Sequence, residues 1–345
     1  MTQKIILLMI LLLLVGCGAG KTEPVTLRLM THDSFSVSED VLNQFMNETG
    51  ITVEVFKAGD GGEALNQAVL AKDDPLADVF FGVDNTFLSR ALDNDIFIPY
   101  DAPALAQIPD SLELDPQHRA LPVDFGDVCL NYDKAWFAEN GLQPPQNLDD
   151  LVKPEYAGLT AVENPATSTP GLAFLLTTIS TYGEEGYLDY WQQLVNNDVL
   201  VTSGWEEAYY GEFTAASDGD RPVVVSYASS PPAEVIFAEE PLDDAPTASV
   251  IGDGACFRQV EFVGILRGTP YEAEAKQLVD FMLGKTFQED VPLQMFVFPV
   301  NETAVLPPEF IQYSPIPANP AMLSPADIAA NRERWIEAWT NVVLR

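Results

Sequence analysis

Trp205 and Tyr227 are the side chains best suited to hold a flat or positively charged small molecule. A cation over an aromatic ring gains about 0.5 to 2 kcal/mol, depending on how well water is excluded. Trp205 opens the run Gly204-Trp205-Glu206-Glu207-Ala208-Tyr209, with two glutamates beside the ring. Tyr227 closes Pro222 to Tyr227, a buried-strand pattern that continues into Ala228-Ser229-Ser230-Pro231-Pro232. Core packing is the competing reading for both rings. Asp60 stands between Gly59 and Gly61, where a backbone without side chains lets a carboxylate or an amide N–H approach a ligand closely. The competing reading there is a solvated turn. Ser168-Thr169-Pro170-Gly171 reads as a helix start, with a hydroxyl cap and proline in the first turn. Free N–H groups and the helix dipole favour an anion at such a point, although plain capping explains the same residues.

Other chemistry finds little support. His32 and His118 are the only histidines, and there is no GxSxG motif, so no nucleophile and base are brought together and an enzyme is not expected. Two cysteines without CxxC spacing and two distant histidines make no recognisable metal set, and no cofactor motif is present. The chain carries 52 Asp plus Glu against 17 Lys plus Arg, a formal charge of −35, which disfavours nucleic acid and attracts cations. An acidic surface that serves only solubility fits the same count.

The elements that must position these residues read as α/β. Val25 to Met30, Ile51 to Phe56 and Asp78 to Val83 are β-rich, with amphipathic helical stretches at Ser38 to Asn47 and Ala64 to Ala71 between them. This βαβαβ order predicts a mostly parallel, covered sheet with ligands at the carboxyl ends of strands. The loops at His32 to Phe35, Gly59 to Gly62 and Asp84-Asn85 then become candidate contacts. A second block follows, with strands at Val128 to Tyr132, Leu159 to Val162 and Pro222 to Tyr227, and helices at Pro170 to Thr181 and Leu188 to Asn196. Phe257 to Leu266 reads as a strand returning to the first lobe, followed by a helix from Glu272 to Leu283. Two lobes crossed twice by the chain leave a cleft between them.

The N-terminus predicts export. Lys4, an apolar run from Ile5 to Val15, and Gly16 before Cys17 form a signal peptide over residues 1–16, too short to span a bilayer. Leu14-Val15-Gly16-Cys17 resembles the lipobox of bacterial lipoproteins, which implies lipid on Cys17 and a tether over 17–23. Export places Cys129 and Cys256 where disulfides persist, so pairing is expected, with two separate buried thiols as the alternative.

Five segments together resemble the thiamine-binding substrate proteins of ABC importers: His32-Asp33-Ser34-Phe35, Gly59-Asp60-Gly61, Thr167 to Gly171, Gly204 to Tyr209, and Ser226 to Pro231. Phe296 to Val300 and the closing helix around Trp335 and Trp339 extend the likeness. The resemblance implies a type II periplasmic-binding-protein fold: two α/β lobes, two crossover strands and a ligand cleft. The expected lobes are 24–125 plus 257–300 and 126–256 plus 301–345. It implies a monomer that captures thiamine or its phosphates outside the cytoplasmic membrane, or in the periplasm, for an ABC permease. The membrane is touched only through the lipid anchor. Expected ligand contacts are Asp60, Gly61, Ser168, Thr169, Trp205, Tyr227, Ala228, Ser229 and Ser230, with His32, Asp33, Asp84 and Phe296 in a second rank. His32, Phe296 and Ala233 stand where better-known members carry tyrosine, tryptophan and another aromatic, which leaves room for a related pyrimidine or another organic cation. Polyamine is one alternative ligand. Ferric iron is another, because related iron-binding proteins use adjacent tyrosines and Tyr209-Tyr210 is such a pair.

Overall fold

The structure is a computed structural model that describes residues 25–238, 240–321 and 323–345. The expected signal segment, tether and Cys17 lie outside the described residues. The first run of elements is β1 (Thr26–Thr31), α1 (Glu39–Thr49), β2 (Thr52–Lys57), α2 (Gly61–Leu70), β3 (Val79–Asp84), α3 (Leu88–Asp93) and β4 (Phe97–Ile98). The chain then forms β5 (Leu121–Asp133), α4 (Lys134–Asn140), β6 (Thr160–Glu163), α5 (Thr169–Asn196), β7 (Leu200–Thr202), α6 (Trp205–Glu207), β8 (Val223–Tyr227), α7 (Pro231–Ile236) and β9 (Thr247–Val250). It closes with β10 (Phe257–Leu266), α8 (Glu272–Leu283), α9 (Lys285–Gln294), β11 (Phe298–Pro299), α10 (Pro308–Tyr313) and α11 (Pro325–Val343).

The strands join one eleven-stranded mixed sheet whose main path runs β2-β1-β3-β10-β5-β8-β6-β7. The β2-β1-β3 and β8-β6-β7 neighbours are parallel, as covered βαβ units require. Between these parallel wings run β10 and β5, antiparallel to each other and each antiparallel to its own wing. These are the two crossover strands expected between the two α/β wings. β5 is far longer than the expected Val128 to Tyr132. Pro122, Asp124, Gly126 and Asp127 read as strand breakers, yet β10 pairs with the stretch from Leu121 to Val128.

The expected helices Pro170 to Thr181 and Leu188 to Asn196 fall within one 28-residue element, broken at Gly183 (φ 72°, ψ 169°). Only a residue without Cβ takes that backbone conformation cheaply. The far half of α5 packs against α11, where Trp191 and Trp339 meet edge to face with centroids 5.5 Å apart. A separate apolar core under the first wing gathers Leu27, Phe45, Phe81, Val263, Leu278 and Met282. Cys129 on β5 and Cys256 just before β10 form a disulfide with Cα atoms 4.4 Å apart, beside Ala228. Among the described residues no helix is long and apolar enough to cross a membrane.

Candidate functional site

A cleft of 390 Å³ opens between the two wings of the sheet. Its size fits a small molecule of two linked rings. Trp205, Tyr227 and Phe296 all line it, together with Asp60, Thr169, Ser230 and His32.

Local structure explains how each ring arrives. Trp205 begins α6, and Ala208–Glu212 continues it as a π turn. Such turns re-aim successive side chains and occur often at functional sites. Here the π turn drives Tyr209 inward, stacked on Trp205 at 4.9 Å, and leaves Tyr210 half exposed at the cleft. Trp205 Nε1 donates to Ser226 Oγ at 2.9 Å, which fixes the indole plane. Tyr227 ends β8 and donates its hydroxyl to Gln259 Oε1 at 2.7 Å. Phe296 sits at φ 58°, a left-handed conformation that a residue with Cβ adopts only at a cost. Its ring meets Phe237 edge to face at 5.6 Å.

Asp60 does more than cap its own helix. Its Oδ1 accepts from Gly61 N at 2.6 Å and from Thr169 N at 3.0 Å, and its Oδ2 accepts from Trp205 N at 3.1 Å. One carboxylate therefore ties the N-terminus of α2 to those of α5 and α6 across the cleft. Gly204 permits this: a Cβ there would lie 2.9 Å from Asp60 Oδ2. Burial pushes the Asp60 carboxyl up to about 7, while the Trp205 and Thr169 N–H bonds pull against it. The first-turn N–H of α5 expected to face an anion is thus already used by Asp60.

Several expected contacts lie behind the wall. Ser168 is fully buried and caps α5, with Gly171 N donating to its Oγ at 3.3 Å. Ala228 packs on the disulfide, and Ser229 is buried away from the cleft lining. Asp84 is fully buried too, its Oδ1 accepting from Thr86 N, Thr86 Oγ1 and Phe87 N and its Oδ2 from Gln259 Nε2. It supports Tyr227 through Gln259 instead of facing the ligand space. Gly61 and Asp33 also stand off the lining, Asp33 accepting from Lys57 Nζ through its backbone oxygen.

The cleft also presents acidic groups, of which the sequence motif around Trp205 had brought forward Glu206 alone. Glu261 on β10 and Glu206 on α6 line it, and Asp124 and Glu163 are fully buried near its floor. Among the described residues, the basic groups in the lining are Lys57 and His32. Burial, and then Lys57, push His32 down to about 4, so its ring is neutral at physiological pH. Its Nε2 lies 3.5 Å from Glu261 Oε1 without a hydrogen bond. The site is therefore aromatic on its walls and acidic on its floor. The signal in the sequence was Glu261, a carboxylate flanked by Val260 and Phe262 inside the strand Phe257–Leu266.

Comparison with known proteins agrees with this geometry. Residues 74–316 match the family of bacterial extracellular solute-binding proteins. The thiamine-binding periplasmic protein of Escherichia coli (strain K12) is 30% identical over 339 residues, spanning 96% of this chain and 98% of that protein. Its counterpart in Brucella suis biovar 1 (strain 1330) is 29% identical over 336 residues, 94% of each. Among solved structures, a periplasmic thiamin binding protein superposes with a TM-score of 0.81 at 27% identity, over 93% of this chain and 96% of that one. Iron-bound HitA from Pseudomonas aeruginosa has a TM-score of 0.73 at 20% identity, a likeness of fold alone.

Proposed function

The chain belongs to the bacterial extracellular solute-binding proteins, and from that premise we propose that it captures thiamine, or a closely related aminopyrimidine cation, for an ABC importer. The observation that carries this reading is the pairing of aromatic walls with an acid floor. Thiamine joins a flat aminopyrimidine to a permanently cationic thiazolium. Trp205, Tyr227 and Phe296 supply faces for the rings, and Glu261 and Glu206 supply charge of the opposite sign. The thiamine-binding relatives from Escherichia coli and Brucella suis point to the same ligand.

The ligand contacts in this reading are Asp60, Thr169, Trp205, Tyr227, Ser230, His32 and Phe296, joined by Glu261, Glu206 and Tyr210. The lobes comprise 24–125 plus 257–300 and 126–256 plus 301–345, closing on the ligand as Asp60 engages α5 and α6. The protein acts as a carrier, releasing its ligand unchanged to a permease. A polyamine would not use the flat walls as fully. Iron is less suited, because Tyr209 is committed: its hydroxyl donates to Glu234 Oε1 at 2.5 Å while its ring stacks on Trp205.

Mass spectrometry of the small molecule that co-purifies from native extraction tests the ligand. Thiamine or a thiamine phosphate is the expected species. A polyamine, or ferric iron detected in its place, would overturn the assignment.

Lipid on Cys17 holds the protein at the outer face of the membrane in this reading. Cys17→Ser is expected to yield unprocessed or soluble protein, read by membrane fractionation and intact mass. Normal processing and membrane retention of that variant would count against the anchor.

A further inference from the structure

We propose that Glu261 and Asp124 form a proton-sharing carboxyl pair that recognises the positive charge of the ligand and gives up its proton to solvent when the ligand binds. This rests on the cleft being the site of an organic cation.

The pair is built by strand register. Glu261 on β10 lies opposite Asp124 on β5 and, on its other side, opposite Asp84 on β3. The three carboxyls differ in their fates. Asp84 is satisfied by Thr86, Phe87 and Gln259. Asp124 is wholly buried, neither of its oxygens makes a well-formed hydrogen bond, and its carboxyl faces that of Glu261. Glu261 is 8% exposed and lines the cleft. The groups facing it are Asp124 from β5, Asp84 from β3, Asp60 from the cap of α2, Tyr227 from β8 and His32 from the loop after β1. His32 is neutral, and Lys57, the other basic group of the lining, donates to the backbone oxygen of Asp33 and makes no ion pair with either carboxyl among the described residues, so no protein cation is paired with them.

Two adjacent carboxyls buried without a counter-charge cannot both ionise, and they titrate as a unit holding a proton. Burial raises both, Asp124 to about 7; the charge of Asp124 raises Glu261 further, while the hydrogen bond from Glu261 pulls Asp124 back down. A cation placed against Glu261 supplies the missing charge, so ionisation becomes favourable and one O–H bond breaks, with its proton leaving to buffer. The sign follows from linkage. Binding that releases a proton strengthens as pH rises, by at most tenfold per unit for one proton, over the range where the empty pair still holds it. A structural role in joining β5 to β10 predicts no such dependence.

The test is calorimetry with thiamine near pH 7 in buffers of differing ionisation enthalpy, which counts the protons exchanged. The wild type is expected to release a substantial fraction of one proton per ligand. Glu261→Gln and, independently, Asp124→Asn are expected to release none and to bind about tenfold more weakly, as loss of a charge-assisted contact implies. Circular dichroism checks that each is folded, and the pH dependence of wild-type affinity needs no variant at all. Thiamine binding with no proton released, or the same release from folded Glu261→Gln, would overturn the pair while leaving the ligand assignment intact. Absence of thiamine binding by the wild type would overturn the ligand assignment and this inference with it.

Discussion

Trp205→Ala is expected to weaken thiamine binding by about 2 kcal/mol or more, roughly thirtyfold in Kd, in a protein that remains folded. The indole is 9% exposed and forms part of the cleft wall, so its loss removes a face for the ligand and admits water beside it. Water weakens every remaining charge contact in the cleft as well. The fold should survive, because Trp205 belongs to a small apolar cluster with Tyr209 and Phe213, apart from the two main cores. Trp205→Phe should fall between, keeping a face but losing the Nε1 bond to Ser226. Calorimetry with thermal denaturation as the control reads the outcome, and unchanged affinity in folded Trp205→Ala would move the site elsewhere.

Gly62→Val should have a comparable effect by a different route. A Cβ at Gly62 would lie 2.8 Å from Thr167 O and 2.9 Å from Thr167 C, with Ala166 O next at 3.3 Å. These nearest atoms are backbone across the cleft, where Glu63 N also donates to Thr167 O at 3.2 Å. The first atom of the new side chain therefore meets the 166–167 backbone, and the substitution is expected to oppose closure. Overpacking of about 1 to 3 kcal/mol lowers the closed population, and apparent affinity falls in proportion, from about fivefold to more than a hundredfold. Small-angle scattering should show a variant that no longer contracts on adding thiamine. Contraction and affinity equal to wild type would mean that closure does not pass through this contact.

Much of the frame was legible in the sequence because it depends on local patterns. The bounds Phe257–Leu266 and Glu272–Leu283 follow from a β-rich stretch and from an amphipathic helical one, and the wings from the βαβ order. Trp205 and Tyr227 stood out as aromatic rings beside glutamates and at a strand end, but residue type alone left core packing open, and only the fold places both on the cleft lining. The role of Asp60 was hidden for a physical reason. Its partners Thr169 and Trp205 lie 109 and 145 residues away, and only the folded chain brings their N–H groups together. Sequence order also put Ala228 and Ser229 at the ligand beside Tyr227, but the chain turns there and Ala228 packs inward on the Cys129–Cys256 bridge. Glu261 escaped notice because a lone carboxylate in a strand reads as a solvent-facing position, and Asp124 because it lies in a stretch that reads as strand-breaking. Their meaning appears only when β5 and β10 are set side by side.

The central claim is that this cleft holds a flat organic cation, thiamine before all others. Titrating ligand-stripped protein with thiamine, and then with spermidine, tests it most directly. The account predicts saturable one-to-one binding of thiamine that excess spermidine does not displace. No heat with thiamine, or tighter binding of spermidine, would contradict it.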